Sequence, residues 1–131
     1  MFIKDFDSWN QLKKITDQAV PSTKIREGEI RWCKFGVNVG NEALGKGAGF
    51  KRPVLILKKF SSEVFLGVPL TSKIHQGSWY YVLEHEGIKR SVILNQARVL
   101  DRKRLEQKVY ALAESELQKV KDAFIQLIQK S

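Results

Sequence analysis

Cysteine is almost missing from this sequence. Its 131 residues hold one, Cys33, and a lone thiol cannot close a disulfide within the chain. Histidine is nearly as scarce, with only His75 and His85. One cysteine and two scattered histidines make no four-ligand zinc set, so neither a metal nor another cofactor is expected. No apolar run approaches the ~18 residues that would cross a bilayer. The opening stretch MFIKDFDSWNQLKK mixes acids and bases where a secretory signal needs an unbroken apolar core. These absences together predict a cytoplasmic protein with no membrane segment.

Acids are the scarcer charge, 14 against 23 bases, for a net +9. The excess is concentrated. Residues 1–24 carry four bases and three acids, residues 106–131 carry four of each, and residues 25–105 carry fifteen bases against seven acids. The middle of the chain is therefore the part that should attract a polyanion by long-range steering, unless its charge serves only solubility.

What is present changes its period along the chain. In residues 5–18 the spacing of Phe6, Trp9, Leu12 and Ile15 by threes predicts a helix with one apolar stripe, capped by Asp5 or Asp7. Pro21-Ser22-Thr23 then breaks the pattern. From Gly28 onward come five short runs rich in β-branched and aromatic residues: 29–35, 53–59, 63–70, 79–84 and 89–95. Two of the links are tight, through Ser61-Ser62 and through Glu86-Gly87. PVLIL (53–57) is continuously apolar, as expected of a strand covered on both sides. Five strands with no helix between them suggest a small antiparallel barrel or sandwich. Residues 101–108, DRKRLEQK, read as a short charged helical turn. Ser115 with Gln118 reads as a capping box opening a last helix, whose apolar face is Leu117, Val120, Phe124, Leu127 and Ile128.

The connection 36–51, GVNVGNEALGKGAGFK, has no period and five glycines, the mark of a functional loop in so small a domain. Gly40 to Lys46 spells GxxxxGK, but Gly47 follows where a phosphate-binding loop needs Ser or Thr, and a strand follows where it needs a helix. Nucleotide hydrolysis is not supported.

Three ordered motifs make the middle of the chain more specific: GEIRW (28–32) opening the first strand, Arg52-Pro53 opening the second, and VPLTS (68–72) closing the third. With SVILNQARVLDRKRL behind them, they resemble the MazF/PemK family of toxin–antitoxin ribonucleases, over Gly28 to about Ile128. The resemblance implies an SH3-like barrel with a C-terminal helix, homodimerisation, cleavage of single-stranded RNA, and a cognate antitoxin protein as partner. It divides the chain into a helical extension and linker, 1–24, and a barrel domain with its C-terminal helix, 25–131.

Carried over residue by residue, the resemblance assigns the family's catalytic arginine to Arg52 and its threonine to Thr71. Metal-free RNA cleavage builds negative charge on phosphoryl oxygens as the 2′-hydroxyl attacks, and a guanidinium presents rigid paired donors to that charge. Arginine stays protonated, so Arg52 is expected to stabilise charge instead of removing a proton. Glu42, matching a family acid, is the first candidate to take the proton or orient the loop; His75 is the alternative. Lys46, Lys51, Ser72, Lys73, His75, Asn95 and Gln96 are expected along the RNA path. Some relatives carry an arginine and an aspartate on the strand matching SVILN, where this chain has Ile93 and Asn95. Asn95-Gln96 suits base recognition better than proton transfer.

Trp79 and Tyr81 should share one strand face, free to stack on bases or packed inward. Lys58-Lys59 and Arg102-Lys103-Arg104 are either phosphate contacts or solvated charge. Two other readings remain: a barrel that binds RNA or protein without cutting, and a toxin that poisons DNA gyrase, as a related branch does.

Overall fold

The computed structural model describes residues 4–18, 23–36 and 50–130. Helix α1 (Phe6–Gln18) starts where Asp5 Oδ1 accepts the Ser8 amide at 2.9 Å, giving one orphan N–H of the first turn its partner. The expected stripe is buried only in part. Trp9 and Thr16 are buried, while Phe6 and Ile15 stay 49% and 66% exposed. Trp9 anchors the helix to the barrel, and near its far end Lys103 donates to the Asp17 carbonyl at 2.8 Å. The Trp9 ring lies 5.7 Å from that of Phe50, and the Arg104 guanidinium stands 5.6 Å from the same indole. Gly36, at φ +87°, completes the seat: a Cβ there would collide with the indole, and its backbone favours glycine in any case.

Among the described residues seven antiparallel strands follow: β1 (Glu29–Lys34), β2 (Lys51–Lys59), β3 (Val64–Thr71), β4 (Tyr80–His85), β5 (Ile88–Ile93), β6 (Arg98–Asp101) and β7 (Leu105–Ala111). They run in the order β4-β5-β3-β2-β1-β7, with β6 added on β3. The His85 ring, on β4, stacks on Tyr110 of β7 at 3.8 Å and 5°, so the two ends of this path meet and the sheet curls into a small SH3-like barrel.

Strand β2 organises the interior. Leu55 and Leu57 join one core cluster, with Ile30, Val68, Leu70 and Val92; Val54 and Ile56 join the other, with Cys33, Phe35 and Phe65. Both faces are covered, which is why PVLIL shows no alternation. Each such side chain, buried from water, stabilises the fold by about 1.5–3 kcal/mol before entropy is set against it. The β4–β5 hairpin turns through Glu86 and Gly87, both at positive φ (51° and 78°), with His85 paired to Ile88. That is the primed two-residue turn whose twist matches the strands it joins.

Three expectations need correction. The charged segment 101–108 is not a helix. Only Arg102–Arg104 form a 3-10 turn, capped where Asp101 Oδ1 accepts the Lys103 amide at 2.8 Å, and β7 starts at Leu105. Strands β6 and β7 were hidden because β7 lies at the end of the sheet path and turns its charged residues outward, blurring the alternation. The final helix, α2 (Glu114–Gln129), begins after Ala113 without a side-chain cap, and Gln118 donates to Asp122 at 2.9 Å instead of closing a capping box. Glu114 and Glu116 complement the positive end of the helix dipole there. Leu117 and Val120 enter the first core cluster, Phe124 and Leu127 pack partly against it, and Ile128, at the rim of the stripe, is exposed. Finally, Trp79 and Tyr81 do not have the common environment expected of them. The strand begins at Tyr80, leaving Trp79 55% exposed ahead of it, while the Tyr81 hydroxyl donates to Glu116 of α2 at 3.0 Å.

Candidate active site

Arg52 is the second residue of β2, paired with Cys33 on β1. Thr71 is the last residue of β3 and pairs with Ser91 on β5. In the β2–β3 ladder Val54 faces Pro69; continuing that register by two residues brings Arg52 level with Thr71. Residues opposite one another in an antiparallel pair have Cβ atoms about 5 Å apart. Two motifs nearly twenty positions apart in the chain are thus neighbours.

They line one cleft of about 450 Å³. Its apolar surface is Trp32, Pro53 and Leu70, its cations are Lys51, Arg52 and Arg90, and its hydroxyls are Thr71 and Ser72. Arg52 is half-buried, and its Nη1 donates to the Leu70 carbonyl at 3.1 Å, which fixes the fork against β3. Loss of surrounding water holds its pKa below the ordinary arginine value. The same loss of water strengthens the group's pull on any anion entering the cleft. The Thr71 hydroxyl oxygen accepts the Lys73 amide at 3.3 Å, an arrangement that leaves its proton to be donated elsewhere. Lys51 is differently employed: its ammonium lies 2.6 Å from Glu106 Oε1, while Lys34 approaches the other oxygen at 3.6 Å.

The remaining expected residues are scattered. Ser72 is on the cleft rim, and Lys73, next in sequence, is exposed. His75 donates its amide to Ser91 Oγ at 3.1 Å and stacks its ring on Tyr80 at 4.6 Å; it does not line the cleft. Asn95 and Gln96 sit in a 3-10 turn, Leu94–Gln96, with Asn95 exposed, and they do not line the cleft either. Glu42 and Lys46 lie outside the described residues. Among the described residues, no three of His, Cys, Asp and Glu converge as a metal site would require.

The basic run Arg102-Lys103-Arg104 is committed to the fold. Arg102 pairs with Glu63 at 3.1 Å, Lys103 donates to the Asp17 carbonyl at 2.8 Å, and Arg104 to the Lys34 carbonyl at 3.1 Å. Clustered bases in a sequence look alike whether they serve partners inside or outside the chain. Arg90 and Trp32, by contrast, were not singled out from the sequence. Arg90 adjoins the SVILN string and Trp32 ends the GEIRW motif, but nothing in the linear order places either beside Arg52.

A family model described as PemK-like, MazF-like toxin of type II toxin–antitoxin systems matches residues 26–128. The chain is also similar in structure to MazF (Form I) from Deinococcus radiodurans, with a TM-score of 0.64 and 19% identity over 83% of this chain and 100% of that one. A chain of the MazE–MazF complex (Form II) from the same organism matches with a TM-score of 0.60 and 21% identity, covering 84% of this chain and 100% of that one. No curated protein matches the chain in sequence. The matched family segment begins after α1.

Proposed function

The chain belongs to the PemK-like, MazF-like toxin family of type II toxin–antitoxin systems, and from that premise we propose that it is a ribonuclease that cuts single-stranded RNA without a metal ion. The observation that carries the proposal is the meeting of Arg52 and Thr71 at the rims of adjacent strands, in one basic cleft open to solvent. The 2′-oxygen attacks its neighbouring phosphorus and gives up its proton, the bond from phosphorus to the 5′-oxygen breaks, and that oxygen takes up a proton. The products are a 2′,3′-cyclic phosphate and a 5′-hydroxyl. Negative charge peaks on the non-bridging oxygens midway, and donors already in place for it act without reorganising. Arg52 supplies the charge-assisted pair of hydrogen bonds and Thr71 one more. Glu42 is the first candidate to take the 2′-hydroxyl proton or to orient the loop that carries it.

The protein acts in the cytoplasm as a homodimer, and its activity is restrained by a cognate antitoxin whose acidic segment covers the cleft. A MazE–MazF complex from Deinococcus radiodurans, whose matched chain has the same fold, supports the partner's class.

The test is incubation of the purified protein with long, varied single-stranded RNAs in EDTA, followed by mapping of the cut ends. Discrete cuts bearing 5′-hydroxyls are expected, slowed on the order of 10²–10³-fold by Arg52→Ala. Intact RNA across all sequences would reject the enzyme. Binding without cutting, weakened steeply by salt, would select the non-catalytic reading, which the replacement of ionisable groups by Ile93 and Asn95 favours.

A further inference from the structure

Arg90 is the cleft cation that this chemistry leaves without a task. It stands on β5 opposite Leu83, immediately before the Ser91–Thr71 pair. Among the described residues its side chain makes no hydrogen bond and no ion pair. The other cations near the cleft are engaged: Arg52 on the Leu70 carbonyl, Lys51 and Lys34 on Glu106, and Arg104 on the Lys34 carbonyl. Arg90 is only partly exposed, yet its nitrogens are not sealed off and stay within reach of a ligand entering the cleft. Its five donors and fixed charge suit a phosphate above other ligands.

Its place in the sheet says which phosphate. Arg52 is on β2 and Arg90 on β5, with β3 between them. Strands two apart are separated by about 10 Å at the backbone. Two long side chains entering one cleft from backbones that far apart can each meet a different one of two successive phosphates of an extended strand. Resting on the ribonuclease reading, we propose that Arg90 grips the phosphodiester next to the reacting one, so that the cleft holds two consecutive phosphates. Arg52 and Thr71 take the linkage that breaks, and Arg90 takes its neighbour. Arg90 is then a positioning residue, which sets which linkage lies under Arg52.

The experiment uses a short RNA spanning a mapped cut, made uncuttable by a 2′-deoxy sugar at the reacting nucleotide. A neutral methylphosphonate replaces one linkage at a time, and binding to the intact protein is read by fluorescence anisotropy. For the wild type, neutralising one flanking linkage should raise Kd about tenfold. Arg90→Ala should raise Kd by a similar factor, lower the slope of log K against log salt by about 0.7, and be indifferent to that same replacement. On the all-ribose RNA, Arg90→Ala should raise KM and change kcat little. Arg90→Gln, closer in size, repeats the measurement if the alanine variant folds poorly. A methylphosphonate profile identical in wild type and variants overturns the assignment, as does loss of sensitivity at the reacting linkage instead. Failure of the wild type to cut the all-ribose RNA strikes the ribonuclease reading itself, and so is told apart.

Discussion

At the scale of single residues, the roles of Arg52 and Thr71 differ in what their removal should do. Thr71→Val keeps the shape but deletes the donor, so cutting should slow by about 10²-fold with RNA affinity nearly unchanged, measured as kcat against KM. Arg52→Lys keeps the charge but loses the fork, and should recover little of the activity lost in the alanine variant. Cys33 offers a test of the barrel interior. Burial pushes its thiol from 9.0 up to about 12. The folded thiol should therefore resist alkylation at pH 8, and react only as fast as the protein unfolds. Linkage adds a sign. Below pH 9 the thiol is protonated in both states and stability does not depend on it. Between 9 and about 12 the unfolded chain loses the proton first, so stability falls as pH rises. Burial raises Tyr81 and Tyr110 in the same direction, so the measurement is the urea midpoint of native protein against Cys33→Ala at pH 8 and at pH 10.5.

At the scale of elements, legibility followed exposure of the pattern. Helix α1, β2 and the C-terminal helix carried patterns that survive in the sequence: apolar residues spaced by threes and fours in the helices, and an unbroken apolar run in β2, which is covered on both faces. Strands β6 and β7 did not, because charged and polar residues interrupt their apolar ones and backbone pairing still holds them. The capping box at Ser115 failed for a related reason: a motif of two residues states what a helix start can look like, while tertiary contacts of Leu117 and Val120 decide where it starts. Trp9 lets the hold of α1 on the barrel be measured. Trp9→Ala should cost about 3 kcal/mol in denaturant unfolding, since the indole fills the seat formed by Gly36, Phe50 and Arg104. Gly36→Ala should cost a comparable amount, through collision with the indole and the unfavourable φ.

At the scale of the whole molecule, charge is the quantity that matters. With a net +9, the chain should bind single-stranded RNA with affinity that drops steeply between 50 and 200 mM salt. Light scattering at micromolar concentration should give twice the mass of the 15.1 kDa chain; a single chain mass there would reject the dimer.

The sequence by itself determined the composition of the core, the alternation of β-strands with turns, the excess of cations in the middle segment, and the motifs that carry Arg52 and Thr71. These are local properties, written in the residue and its near neighbours. Only the tertiary structure decided which cations face the cleft. The fold brought Arg90 and Thr71 to one cleft, turned Arg102, Lys103 and Arg104 to carbonyl and carboxylate partners of the chain itself, and tied Lys51 to Glu106. Charge in a sequence carries no direction. Direction comes from register, and register is fixed by contacts between residues far apart in the chain.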